Sequence, residues 1–225
     1  MDIVDHMEKG KDLSTPSGAR RYDGQSRQEE ATARRRRVID EAHRLFLADG
    51  YAATSLDGIA KGAGVSVQMV YAAFTSKAGV LARVIDVAIG GDDEDVMVRD
   101  RPEFKAMFEA ESPEKFVRAA VRHGRITHER SGPILHLLDT VAGTDPALAE
   151  LSAELHRQAR EESGHLVDRL PQEWFRAGST REERIALMAL LGFYRTWWTI
   201  TQEWGWSAKR YEEFIVHAML RQAFD

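Results

Sequence analysis

The stretch from Thr54 to Phe74, TSLDGIAKGAGVSVQMVYAAF, constrains this chain more than any other part of it. It reads as two short helices joined by a tight turn. Leu56, Ile59 and Ala60 lay an apolar stripe at helical spacing along the first helix. Thr54 stands where its hydroxyl would accept the backbone N–H of Asp57, so it is the expected cap. A small residue at Ala60 lets the second helix cross closely, and Gly64 supplies the positive φ that the turn requires. Ser66 then caps a helix in which Val67, Met69, Val70, Tyr71 and Phe74 mix buried and outward positions. This is the outline of a helix-turn-helix, whose second helix enters the DNA major groove. A plain helical hairpin in an all-α core satisfies the same residues, so the flanks must decide.

Charge separates the two readings. The chain carries a net charge of −5, but residues 32–84 are net +4, against −2 for residues 1–31 and −7 for residues 85–225. The one basic segment is the one that holds the candidate motif, which suggests a small cationic lobe on an anionic body. A helix is predicted from about Glu30 to Asp49, with Val38, Ala42, Leu45 and Phe46 inward and Gly50 ending it. Arg34, Arg35, Arg36 and Arg37 crowd its start, where the helix dipole disfavours positive charge. A DNA phosphate would relieve that conflict; a solvated basic face is the alternative. After the motif, Ser76 caps a helix with Val80, Leu81, Val84, Ile85 and Ala88 on one side. Lys77 sits in its first turn, beside backbone N–H groups suited to a phosphate.

Other classes find little support. Without cysteine there is no disulfide, thiolate metal site or cysteine nucleophile, which fits a reducing cytoplasm. No apolar run approaches the roughly 18 residues of a membrane span, so no membrane partner is expected. Nucleophile-elbow, P-loop, dinucleotide and paired-carboxylate motifs are missing, so neither an enzyme nor a cofactor is expected. Asp92, Asp93, Glu94 and Asp95 lack the glycine and terminal glutamate of a calcium loop and read as a solvated connection. His123 and His128 are five apart, off the spacing that puts two ligands on one helix face, so no metal site is assigned. Residues 1–30 are polar and read as a flexible arm, with Arg20, Arg21 and Arg27 solvated.

At this point a resemblance can be stated. RRRVIDEAHRLFLADGYAATSLDGIA followed by AGVSVQMVYAAFTSK resembles the N-terminal DNA-binding domain of the TetR/AcrR family of bacterial regulators, from about Arg35 to Ile85. The resemblance implies an all-α protein: a three-helix DNA-binding domain at 31–76 and a larger helical effector-binding and dimerisation domain at 77–225, with the helix at 77–89 as connector. It implies a homodimer, usually a repressor, that binds a palindromic double-stranded operator and is released by a small effector. By similarity Thr54, Ser66, Tyr71 and Lys77 match phosphate-contacting positions, while Val67, Gln68, Met69 and Ala72 face the bases; Arg34, Arg35 and Arg36 are added from the charge argument. Two departures stand out. Ala73 replaces a residue that is often His or Tyr, and Ser76-Lys77-Ala78-Gly79 lacks the Glu that commonly follows the lysine. Among the base-facing side chains only Gln68 can make a bidentate bond to adenine, and Val67, Met69 and Ala72 can meet thymine methyls, so A·T pairs are expected at the half-site centre.

The remainder reads as helices separated by breakers: a short one over 103–110, then Pro113 to about Glu129, one opened by Pro133, one from Pro146 to about Leu170, one over Arg181–Glu203, and one from about Ala208 to Phe224. Residues 185–200 are apolar nearly all round, more than one core can use. With the final helix they suggest a four-helix dimer seam that includes Ile185, Met188, Ala189, Gly192, Phe214, Ala218 and Met219. The five tryptophans all lie in this half, and His123, Phe193, Trp197 and Trp174 are the candidate lining of a pocket for a hydrophobic or aromatic effector. The competing reading is a helical protein-interaction module without sequence-specific DNA binding.

Overall fold

The computed structural model describes residues 17–94 and 96–225. Helix α1 spans Ser17–Ala53, and the next three are α2 Leu56–Ala63, α3 Val67–Phe74 and α4 Lys77–Gly90. The body comprises α5 Pro102–Ala106, α6 Pro113–Val141, α7 Pro146–Arg169, α8 Arg181–Gly192, α9 Tyr194–Trp198 and α10 Ala208–Ala223. A five-residue π turn, Thr199–Glu203, follows α9. The only β pairing among the described residues is an isolated antiparallel bridge between Phe175 and Phe224. The all-α expectation holds.

Several boundaries fall where local chemistry puts them. Ser66 accepts from Met69 N, Ser76 from Gly79 N and Ser207 from Arg210 N, each covering an orphan donor of a first turn. Gly50, at φ 81 and ψ 165, interrupts the helical backbone of α1 where the sequence predicts its end. Other boundaries are corrections. The backbone is already helical from Ser17, so residues 17–30 extend α1 rather than forming an arm. Straight-chain residues such as Arg27, Gln28 and Glu29 favour the helix even where they are exposed. Residues 1–16 of that expected arm lie outside the described residues, as do the side chains of Arg20 and Arg21. Pro133 does not open a helix but lies inside α6. The expected helix over 181–203 breaks at Phe193, whose ψ of 147 is extended, and resumes as α9 and the π turn.

Two cores hold the molecule. In the first, Val38, Ile39, Ala42 and Phe46 of α1 meet Ile59, Val70, Leu81, Val84 and Ile85. This core does not close on itself; it continues into Ile134, Leu135 and Leu138 of α6, Leu148 of α7 and Tyr194 of α9. Helix α4 is therefore buried on one side against α1 and on another against α6. The second core joins Phe116, Val117, Val167, Phe175, Ile185, Trp197, Ile215 and Met219. Helix α6 runs through both and touches α1, α4, α9 and α10.

Candidate nucleic-acid interface

The α2–α3 pair is built as the sequence predicts, with one change of cap. Ser55, not Thr54, caps α2: its hydroxyl accepts from Gly58 N at 3.0 Å. Thr54 is instead buried (4% exposed), and its hydroxyl donates to Gly50 O at 2.8 Å. That side chain closes the end of α1 and is not presented to a phosphate. Gly64 ends α2 at φ 67, and its N–H reaches Ala60 O and Lys61 O.

The outer face of α3 is open. Gln68, Tyr71, Ala72 and Ala73 are exposed, Tyr71 by 54%, while Val67 and Met69 are half-buried. Val70 and Phe74 turn inward. Beside this face an open cleft of about 500 Å³ lies between Thr54–Asp57 and Thr75–Lys77, with Tyr71 on its wall. The starts of α2 and α4 both line it. Two features of the α3–α4 turn are invisible in the sequence pattern. Thr75 adopts φ 64, a region that β-branched residues avoid. Gly79 faces the Phe74 carbonyl so closely that a Cβ there would stand 2.2 Å from its oxygen. Gly79 is thus required by packing, whereas nothing in this contact bears on Ala78, which stands where the family pattern has Glu.

Lys77 is not free for a phosphate. Its ammonium donates to Tyr51 O at 2.8 Å and Thr54 O at 2.9 Å, and lies 4.3 Å from the centroid of the Tyr51 ring. Partial burial lowers its pKa. It ties the start of α4 to the turn between α1 and α2. The arginine run is also more occupied than the dipole argument expects. Arg34 pairs with Glu30 at 2.6 Å and Arg36 with Asp40 at 2.9 Å, both one helical turn away and exposed. Arg37 donates to Ala63 O at the end of α2. Arg35 turns toward Asp93, 3.4 Å from its carboxylate, and to the Phe74 ring at 5.8 Å.

The four side chains expected to line an effector pocket are not brought together. Trp174 sits at the C-terminal end, where its carbonyl accepts from Asp225 N. His123 stands edge-on to Phe104 at 5.9 Å. Phe193 packs on His156 at 5.3 Å. Trp197 is buried against Gly132, where a Cβ would come within 2.5 Å of its ring. A second open concavity, about 410 Å³, lies between Arg176–Ser179 and Arg184, apart from all four.

One polar link in this region leaves no sign in the sequence pattern. His128 Nε2 meets Gly192 O at 2.9 Å, at the break between α8 and α9. A carbonyl only accepts, so Nε2 carries the proton, and Nδ1 is left as a buried acceptor without a partner. Burial, first of all, pushes the imidazole pKa down to about 4. Of the expected dimer residues, Ile185, Met188 and Met219 are consumed inside one chain, while Gly192 and Phe214 are exposed and Ala189 and Ala218 half-buried.

No metal-holding group of histidine and carboxylates occurs among the described residues, and no described helix is long and apolar enough to cross a membrane. Residues 38–84 match the family described as bacterial regulatory proteins, tetR family. No curated protein matches the chain. Solved structures resemble it over most of its length. NalD of Pseudomonas aeruginosa, the secondary repressor of the MexAB-OprM multidrug efflux pump, is 22% identical with a TM-score of 0.63, covering 87% of this chain and 98% of that one. The SmeT–triclosan complex is 17% identical with a TM-score of 0.64, covering 86% and 92%. A transcriptional regulator from Aquifex aeolicus is 16% identical with a TM-score of 0.56, covering 83% and 97%. At these identities the likeness concerns the fold. Residues 38–84 match the tetR-family regulator domain and form a helix-turn-helix, and the fold of the whole chain is that of solved TetR-family transcriptional regulators.

Proposed function

We propose that this regulator is a repressor that binds a palindromic operator as a homodimer and is released by a small hydrophobic or aromatic effector. The observation that carries the reading is the outer face of α3, where Gln68, Tyr71 and Ala72 are exposed and Tyr71 walls the cleft between the starts of α2 and α4. Helix starts present unpaired N–H groups to a phosphate, and α3 presents its side chains to base edges. Gln68 is the polar reader and Tyr71 a hydroxyl donor to the backbone. With Thr54 and Lys77 engaged internally, phosphate binding leans on Ser66, Tyr71 and the N–H groups of the helix starts. Arg34 and Arg36 join them by exchanging an exposed carboxylate for a phosphate, since such surface pairs are worth little.

Homodimerisation is supported by apolar surface that one chain leaves open: Leu190 (68% exposed) and Phe214 (47%), next to the small residues Ala189, Gly192 and Ala218. The effector class is supported by the aromatic side chains around α6 and α9. NalD is a repressor and SmeT binds triclosan; these are properties of those proteins, and they lend the proposal its direction. Selection of bound duplexes from a random pool by the purified chain tests it. The expected product is a two-fold site with A·T pairs at each half-site centre, and affinity that falls steeply with salt. Recovery of only G·C pairs there removes Gln68 as the reader. Failure to retain any duplex at low salt returns the chain to a protein-interaction role.

A further inference from the structure

The turn after α4 does not behave as a solvated connection. The chain leaves α4 through Gly91, at φ 97, and folds back. Two neighbouring carboxylates then face opposite partners. Asp93, only 9% exposed at its side chain, accepts from Arg83 Nε of α4 at 2.6 Å and lies 3.4 Å from Arg35 Nε of α1. Its carbonyl accepts from Arg83 Nη2 at 3.0 Å. Arg83 also has Asp86 at 3.8 Å. Asp92 instead grips Arg101, just before α5, with two bonds of 2.6 and 2.8 Å, which holds its carboxyl well below the usual range. From α6, Arg130 donates to Ala88 O and Ile89 O, both at 2.5 Å, where the dipole of α4 favours a cation. The glycines make room. A Cβ at Gly90 would stand 3.2 Å from Arg101 Nη2, and one at Gly91 3.0 Å from Arg130 Nη1.

We propose that Asp93 is a positioning residue for operator recognition, setting the roll of α4 against α1 through Arg83 and Arg35 without touching DNA. The inference rests on the dimeric, two-fold reading above. Apolar packing between α1 and α4 is non-directional and tolerates small rotations, whereas a shared carboxylate between two guanidinium groups does not. Arg35 carries the constraint to the Phe74 ring at the end of α3. Asp92 and Arg130 fix the same turn to the body. In a dimer, the roll of α4 sets how far apart the two recognition helices stand, and so which half-site separation fits.

The test uses the full chain and the duplex selected by the wild type. Binding is measured to that duplex, to versions with the half-sites moved by about one base pair either way, and to a single half-site. The expected result for Asp93→Ala is a fall of about tenfold in the preference for the native separation, with half-site affinity unchanged and the unfolding temperature lowered by the loss of the buried partner of Arg83. Arg35→Gln reproduces the loss of preference, and adding Asp93→Ala to it changes the preference no further. Should Asp93→Ala unfold, Asp93→Asn takes its place with the same expectation. A variant that keeps the wild-type preference, or loses half-site affinity in proportion, overturns the proposal. So does an additive effect in the double variant. A wild type that selects duplexes without any two-fold spacing sinks the dimeric reading instead, and does so before any variant is made.

Discussion

The recognition lobe and the helical body are both packed through buried apolar helix faces, but their polar links span very different distances in sequence. In the lobe, Ser55, Ser66 and Ser76 each cap a helix with an N–H three residues on. In the body, the links that position helices join residues far apart: Arg99 with Glu162, His128 with Gly192, Arg125 with Glu212. The lobe is specified by local grammar with a few long-range ties, from Lys77, Arg37 and Arg35. The body has such caps too, at Ser112, Thr180 and Ser207, but which of its helices meet is set by distant side chains.

That contrast can be broken at four points. Trp197→Ala removes the ring that covers Gly132 inside α6 and is expected to cost about 3–5 kcal/mol in unfolding free energy, as for other buried aromatic truncations. A loss below about 1 kcal/mol in denaturant titration would show that the body is not organised around this contact.

His128 gives the body a pH signature. Its folded pKa is about 4, and an unfolded histidine titrates near 6.5, so the unfolded chain binds more protons between these values. Its contribution is intact above the unfolded pKa and is lost as pH falls toward 4, by on the order of 3 kcal/mol. His43 in α1 and His123 in α6 are also lowered by burial and act in the same direction. Denaturant midpoints measured between pH 7 and 4 should flatten in His128→Gln by the largest single amount. An unchanged slope would refute the buried neutral imidazole.

Lys77→Met tests the lobe. Loss of two charge-assisted bonds to Tyr51 O and Thr54 O is expected to cost about 2 kcal/mol of stability. The slope of log affinity against log salt should stay unchanged, because Lys77 is engaged internally. A decrease in its magnitude of about 0.9 would return Lys77 to the phosphates. The smallest effect is Ser55→Ala, about 1 kcal/mol for a lost cap, with Thr54→Ser nearly silent at that cap. If Ser55→Ala leaves stability unchanged, Thr54 caps α2 as the sequence suggests.

How much was legible follows the same division. The starts of α3 and α4 and the end of α2 stand where serine caps and a glycine stop predict them. The fold class and the reading face of α3 could be named from the Thr54–Phe74 stretch and its flanks. The errors lie where two residues compete for one role or where a distant partner decides. Thr54 and Ser55 are both good caps, and only the position of Gly50 O assigns Thr54 to α1. Pro133 normally ends a helix, yet α6 runs through it, with Ser131 bonding back to Thr127 O and Trp197 packed over Gly132. The uniformly apolar run at 185–200 gives no sign of the break at Phe193, because periodicity reports burial and not continuity.

Hydrophobic spacing, caps and glycines within a few residues of one another determined from the sequence alone that this is a helical chain with a helix-turn-helix in its one basic segment. Tertiary structure decided what the charges do. Arg35 and Lys77 sit in cationic positions that suit a phosphate, and an acidic run sits in a connecting turn. Arg35 pairs with Asp93, Lys77 caps backbone carbonyls, and Asp92 clamps Arg101. The reason is physical: a cap needs only its own backbone, whereas a flexible charged side chain takes whichever partner the fold brings within reach.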